Sequence, residues 1–270
     1  TASSLSPEFW ERAERLTSLR THEHQQMQEF VRLPFGKHMK YIIEALDGNP
    51  ELVSQPIRPP LPTAISSSYL HDAINFLCRT SLSIEPRKQW PAGGMLCLQV
   101  KGRITPEHRA NSGKALCVWG DSGWGPLVRE GKYTHGRFSD KLVFACIDMI
   151  HEWGPQPTPK WITCVPSLRH PDLVPDFARR LAEGFNLPFQ ISLVKTKERP
   201  EQKSMANSAQ QARNVDGSMG VREQNILDGP VLVIDDMIDS RWTMTVAAWL
   251  LRTNGSGEVW PLVLAYAGNE

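Results

Sequence analysis

The 270-residue sequence predicts a mixed α/β protein, with helices in its N-terminal part and a parallel sheet organising its C-terminal part. Three observations carry that prediction. Val231 to Ile234 and Trp161 to Val165 are short, unbroken runs of β-formers closed by turn chemistry, the pattern of strands buried on both faces. Apolar spacing of helical period follows each of them, from Trp242 and from Leu173. Residues 7–32 repeat apolar side chains at a helical period of their own, behind a good start signal.

Ser6-Pro7-Glu8 places proline at a first helical position and an acid in the first turn, so one long helix is predicted over 7–32. His22 and His24 lie two apart and point to different faces, which reads as a solvated surface rather than a metal site. A second helix runs from Gly36 to Leu46 and stops at Asp47-Gly48-Asn49-Pro50. A third is predicted over about 63–80, and Leu82 to Ile84 alternates like a short strand. Prolines, 21 in all, cluster around 50–62 and 155–159, the two candidate linkers.

Between Ser83 and Lys141 ten Lys or Arg stand against five Asp or Glu, a local +5 in a chain of net charge +1. Trp90, Trp119, Trp124 and Tyr133 are interleaved with them. That combination suits a nucleic-acid surface, or equally a small tryptophan core with solubilising charges. Gly125 to Tyr133 has a superficial P-loop look. Five residues rather than four separate Gly125 from Gly131, and Tyr133 replaces the magnesium-binding hydroxyl, so no nucleotide site is read there. Phe138 to Trp153 is an apolar-rich helix. Beyond the proline cluster come the strand at Trp161, a helix from Leu173 to Gly184, a third strand from Phe189 to Val194, and a fourth core strand from Glu258 to Ala265.

The near-neutral charge announces no nucleic-acid or membrane field, and no apolar run reaches membrane length. The five cysteines are spread out with no C-x-x-C pair, which points to buried thiols in a reducing cytoplasm and to no zinc. The chain begins at Thr1, which suggests a piece of something longer.

At the end of the run Val231 to Ile234 stand two carboxylates, Asp235 and Asp236, then the turn Asp239-Ser240-Arg241 and the start of a helix at Trp242-Thr243. Strand end and helix start meet there, where backbone N–H groups and a positive helix end favour anions. Val231-Leu-Val-Ile-Asp-Asp-Met-Ile-Asp-Ser-Arg-Trp-Thr243 resembles the phosphoribosyl-pyrophosphate signature of type I phosphoribosyltransferases, particularly the ComF-like branch. The resemblance implies Asp235 and Asp236 on the ribose hydroxyls, and Ser240 and Thr243 on the 5′-phosphate. Asp239 stands where the family has Ser or Thr, and Arg241 where it has Gly; a carboxylate there repels phosphate, while Arg241 offsets that charge or binds the phosphate itself. Ser167 and Arg169 fall where the family places its pyrophosphate loop. Lys195 to Gln211, with Lys195, Lys197, Arg199 and Lys203, is similar in position to its mobile lid. Arg213, Asn214, Gly217 and Met219 resemble the stretch after that lid.

The whole order is similar to the C-terminal part of a RecQ-like superfamily-2 DNA helicase branch carrying such a tail. The residues are Glu23 to Gln28, Tyr41 to Gly48, Ile84 to Pro91 and Gly123 to Val128. Three domains are implied: 1–60, a helical hairpin left from a zinc region that here has no cysteine; 61–154, a winged-helix-like DNA-binding domain; and 155–270, the phosphoribosyltransferase-like domain. The implied partners are duplex or forked DNA, with Arg87, Lys88, Arg103, Lys114 and Lys132 on phosphates, and a nucleotide or phosphoribosyl ligand, with no membrane. ATP and magnesium would belong to an upstream motor acting in DNA repair, in a bacterial, nucleoid-associated cytoplasmic protein. Three roles stay open for the last domain: ligand binding and regulation, a working transferase in which magnesium bridges pyrophosphate oxygens, or a structural module with idle acids.

Overall fold

The computed structural model describes residues 7–53, 64–79, 81–196 and 208–267, and divides into two compact units, Thr1–Ile65 and Ser66–Glu270. In the first unit, α1 (Pro7–Arg32) and α2 (His38–Ala45) lie where the sequence predicts helices. They meet along one flank, where Phe30 packs edge-on against His38 and the Tyr41 hydroxyl donates to the Gln26 carbonyl at 3.1 Å. No residue of either helix is buried. The candidate linker at 50–62 lies mostly outside the described residues.

The second unit begins with α3 (Ser67–Arg79), β1 (Leu82–Ile84) and β2 (Gly113–Val118). Then α4 (Gly125–Glu130) runs into one π-helical turn, Gly131–His135, and is followed by α5 (Asp140–Trp153), β3 (Trp161–Cys164), α6 (Leu173–Phe185) and β4 (Leu193–Lys195). The remainder is α7 (Ser208–Val215), β5 (Met219–Val221), β6 (Val231–Ile238), α8 (Trp242–Thr253) and β7 (Val259–Tyr266). Five strands form one sheet in the order β1-β2-β7-β6-β3, parallel except for β1. β4 and β5 pair separately as an antiparallel ribbon.

Alternation in β6 builds both layers of the core. Val231 and Val233 face a cluster with Trp242, Val246, Ala247 and Leu251 of α8 and Val215 of α7. Leu232 and Ile234 face the other, with Leu142 and Cys146 of α5 and Phe177 and Leu181 of α6. Pro261 occupies a central strand, normally a poor place for a residue without an N–H. It is tolerated where the neighbouring strand starts: β2 opens at Gly113, whose missing side chain leaves room for the Pro261 carbonyl. Any Cβ at Gly113 would overlap that carbonyl.

The sheet differs from the expected domain division. β1 and β2 come from the stretch assigned to a winged helix, yet they are hydrogen-bonded into the sheet of the C-terminal domain, with Ala115 against Val263 and Cys117 against Ala265. The division among the described residues therefore falls at 65/66 rather than at 154/155. The proline-rich stretch 155–159 joins α5 to β3 inside one unit, pinned by the Trp260 indole donating to the Pro157 carbonyl at 3.1 Å. β7, the fourth core strand expected, takes the centre of the sheet, with β2 and β6 flanking it. Phe189 to Val194 is no core strand either: Phe189 makes one isolated bridge to Ile162, and Leu193–Lys195 joins the ribbon. Cys117, Cys146 and Cys164 are buried and free, as expected, and burial pushes Cys117 and Cys164 up to about 12, but Cys97 is exposed. Among the described residues no helix is long and apolar enough to cross a membrane.

Candidate functional site: the carboxyl ends of β3, β6 and β7

Four parallel strands end on the same edge of the sheet, and the connections that leave them make the site. Asp235 lies opposite Val263 in the ladder, three residues before the end of β6. Beside it, β3 ends with the Val165 amide donating to the Ile234 carbonyl at 2.8 Å, so the Pro166–His170 stretch leaves next to the acids. This is the crevice outside strand carboxyl ends where ligands of open α/β sheets collect.

The two carboxylates are adjacent in a strand and so address opposite faces. Asp236 meets Lys132 of the π-helical turn at 2.8 Å, with the two side chains 15% and 17% exposed. Lys132 also lies 3.4 Å from the Met237 sulfur. Asp235 takes its nearest donor from the backbone, the Asp236 amide at 2.8 Å. Burial, and then the neighbouring Asp236 charge, push the Asp235 carboxyl well above the ordinary range; that amide and the Lys132 and Lys195 charges pull it partly back. Lys195, at the end of β4, is drawn down by its own burial and only partly held up by Asp235. A half-buried acid is therefore biased towards its neutral form, with the Lys132 and Lys195 charges offsetting only part of that bias.

The turn after β6 is held by its neighbours. Arg241 adopts a left-handed backbone, φ 68°, at the N-cap of α8, without a side-chain capping bond. Glycine suits that conformation; a side chain there costs roughly 1–2 kcal/mol, and such strain concentrates at functional turns. Arg87 clasps the turn: its Nε donates to the Ser240 carbonyl at 2.7 Å and its guanidinium lies 3.9 Å from the centre of a Trp242 ring. Arg241 Nη1 donates back to the Glu85 carbonyl at 3.3 Å. Burial and then the Arg241 charge lower Arg87 from its usual value. Asp239 accepts from Gln211 of α7 at 3.2 Å. Two buried side-chain atoms of the turn, Ser240 Oγ and Arg241 Nε, have no hydrogen-bond partner among the described residues. Thr243 is part-buried in the first turn of α8.

The expected site residues thus gather unevenly. Asp235, Asp236, Asp239, Ser240, Arg241 and Thr243 lie along one strand end and turn. Ser167 turns inward on its own loop, accepting the His170 amide at 3.2 Å, and Arg169 is exposed. Lys197, Arg199 and Lys203 lie outside the described residues. The five basic residues assigned to DNA do not share a face. Lys132 pairs with Asp236 on the α5/α6 side, whereas Arg87 stacks on Trp242 on the α8 side. Lys114 donates to Ser83 at 3.2 Å within the β1–β2 pair, and only Lys88 and Arg103 are exposed on adjoining segments. Of the interleaved aromatics, Trp90 is buried and edge-on to Trp249, and the Trp124 indole donates to the Cys78 carbonyl at 2.8 Å. They build core rather than a stacking platform. Sequence reasoning missed the roles of Lys132, Arg87 and Gln211 at the acids and the turn, because each arrives from a distant segment and carries no local pattern.

No family model and no curated protein matches this chain. Similar solved structures are adenine phosphoribosyltransferases. The enzyme from Leishmania tarentolae is 15% identical at a TM-score of 0.32, covering 47% of this chain and 72% of its own. Another adenine phosphoribosyltransferase is 13% identical at a TM-score of 0.35, covering 72% and 98%. The Leishmania donovani enzyme is 15% identical at a TM-score of 0.33, covering 51% and 68%.

Proposed function

We propose that the second unit is a phosphoribosyl-binding domain whose site is the end of β6 and the turn after it. The observation that carries the reading is the pair of orphaned polar atoms, Ser240 Oγ and Arg241 Nε, buried at the N-terminal end of α8. A buried polar group left unbonded costs about 1–3 kcal/mol. A phosphate group would satisfy both atoms, with the helix N-terminus and the Arg87 and Arg241 guanidiniums supplying positive charge. The Gln211 contact draws on Asp239, which lessens the repulsion its carboxylate would exert there. In the phosphoribosyl signature that this stretch resembles, the acids take the ribose; here Asp236 is tied to Lys132, so that contact falls first to Asp235.

The donors present do not fit a resident metal. Among the described residues no three His, Cys, Asp or Glu side chains converge, and the two acids diverge across the sheet. Magnesium would accompany a pyrophosphate-bearing ligand rather than sit on the protein, and the reading needs no metal.

Isothermal calorimetry with ribose 5-phosphate and with phosphoribosyl pyrophosphate plus magnesium tests it. Wild type binds, and Ser240→Ala or Arg241→Ala weakens binding about tenfold or more. No heat from either sugar phosphate in the folded wild type would end the reading. The transferase alternative adds one requirement, pyrophosphate release with an acceptor base; binding without release leaves a binding domain.

A further inference from the structure

Among its described residues the first unit has no buried core. α1 is 26 residues long, α2 is eight, and neither buries a residue. A helix of that length leaning on so short a neighbour gathers little burial against its ordering entropy. α2 covers only the flank of α1 that holds Gln26 and Phe30. Beside that flank runs a second stripe, in which Phe9, Leu16, Met27 and Val31 are 48, 44, 60 and 74% exposed. With Ala13, Arg20 and Glu23 these residues lie within roughly 80° of helix surface at 3.6 residues per turn. The positions 9, 13, 16, 20, 23 and 27 alternate steps of four and three, the spacing of a coiled-coil seam.

The charged members of that seam stand at its middle, Arg20 bonded to Glu23 at 2.6 Å. Turning the helix end for end about the point between Thr21 and His22 sets Arg20 against Glu23 twice and Leu16 against Met27. A parallel pair would set Arg20 on Arg20 and Glu23 on Glu23, which is unfavourable. The seam is self-complementary in one direction only. We infer that α1 is a self-association surface, on which α1 of a second copy of this chain packs antiparallel, with the two Arg20–Glu23 contacts fixing register. This surface belongs to the first unit and does not depend on what the second binds.

Sedimentation velocity on the 270-residue chain tests it. A concentration-dependent dimer is expected. Arg20→Glu alone and Glu23→Arg alone each weaken the dimer about tenfold, since two attractive contacts per dimer become repulsive, and the double reversal restores it. Far-UV circular dichroism of each variant reads helix content separately. A cross-link covers the case in which a reversal unfolds the helix. With exposed Cys97 changed to serine, Leu16→Cys combined with Met27→Cys should oxidise to an interchain 16-to-27 disulfide, located by peptide mass mapping. A monomer at every concentration, which is also the result if another part of the chain or a different protein covers α1, overturns the inference. So does a dimer indifferent to both single reversals, or cross-links of 16 to 16 and 27 to 27.

Discussion

The two units of this chain solve the problem of apolar surface in opposite ways. In the second, the sheet presents apolar side chains on both faces, and helices cover each one; Trp161, Phe138, Phe177 and Leu181 are sealed completely. In the first, Leu16, Leu19, Met27 and Val31 remain in the open on helices that bury nothing. Both units carry apolar side chains at helical spacing. What separates them is whether the chain supplies a second layer: a sheet packed between helices closes on itself, and a lone long helix does not. The sheet unit can therefore carry a strained turn and a poorly neutralised acid, because the burial around them is ample.

The largest effect that would sharpen this contrast is at Trp161. Replacing it by alanine removes a completely buried ring whose indole also donates to the Gly229 carbonyl at 3.1 Å, and should cost about 3–5 kcal/mol by urea unfolding. Leu19→Ala on α1, at a side chain 49% exposed, should cost under about 1 kcal/mol. Equal losses at the two sites would erase the distinction.

Next comes the half-buried acid, Asp235. Burial, and then the Asp236 charge, raise the Asp235 carboxyl above its ordinary 3.8, so between the unfolded and the folded value the folded state keeps a proton that the unfolded chain has released. Its contribution is full below the unfolded value and is lost as pH climbs through the folded one. Asp235→Asn should flatten this fall, leaving a variant more stable than wild type at neutral pH. Urea midpoints measured from pH 4 upwards decide it, and an unchanged slope refutes the protonation bias.

Lys132→Met should cost about 2 kcal/mol by leaving Asp236 unpaired in a largely covered position. Combining it with Asp236→Asn should cost less than the sum of the two single changes; strict additivity would mean that the contact at 2.8 Å contributes nothing. The smallest is Ser139→Ala, removing the hydroxyl that accepts the Lys141 amide at 3.2 Å at the start of α5. A loss of about 1 kcal/mol is expected.

How much could be read beforehand follows from where the information lies. β6 announces itself because a strand covered on both faces must be apolar without interruption, and the acids at its end mark the edge of burial. α1 was legible to its last residue, since helical periodicity is local. β2 was not. Ala115 to Val118 is as apolar as β6, but its partner is far away, with Cys117 bonded to the Leu264 carbonyl across 147 positions. The basic residues around it report the charge of loops and edges, a surface signal that in sequence reads as a separate DNA-binding domain. The same distance hid the counter-charges. Asp235 and Asp236 are visible in the sequence, whereas Lys132 and Arg87, which decide how those acids and their turn behave, reach them only through the folded sheet.

The placement of β7 between β2 and β6 has a consequence for synthesis. A nascent chain can pair β3 with β6 soon after residue 238 is made, but β1 and β2 must wait, with a hydrophobic ribbon unclaimed, until residue 266 has been added. The strand made last of the five is the keystone rather than the trim. Deleting it would split the sheet into two orphan pairs, and a ribosome stalled before it would display an edge ready to capture the wrong neighbour.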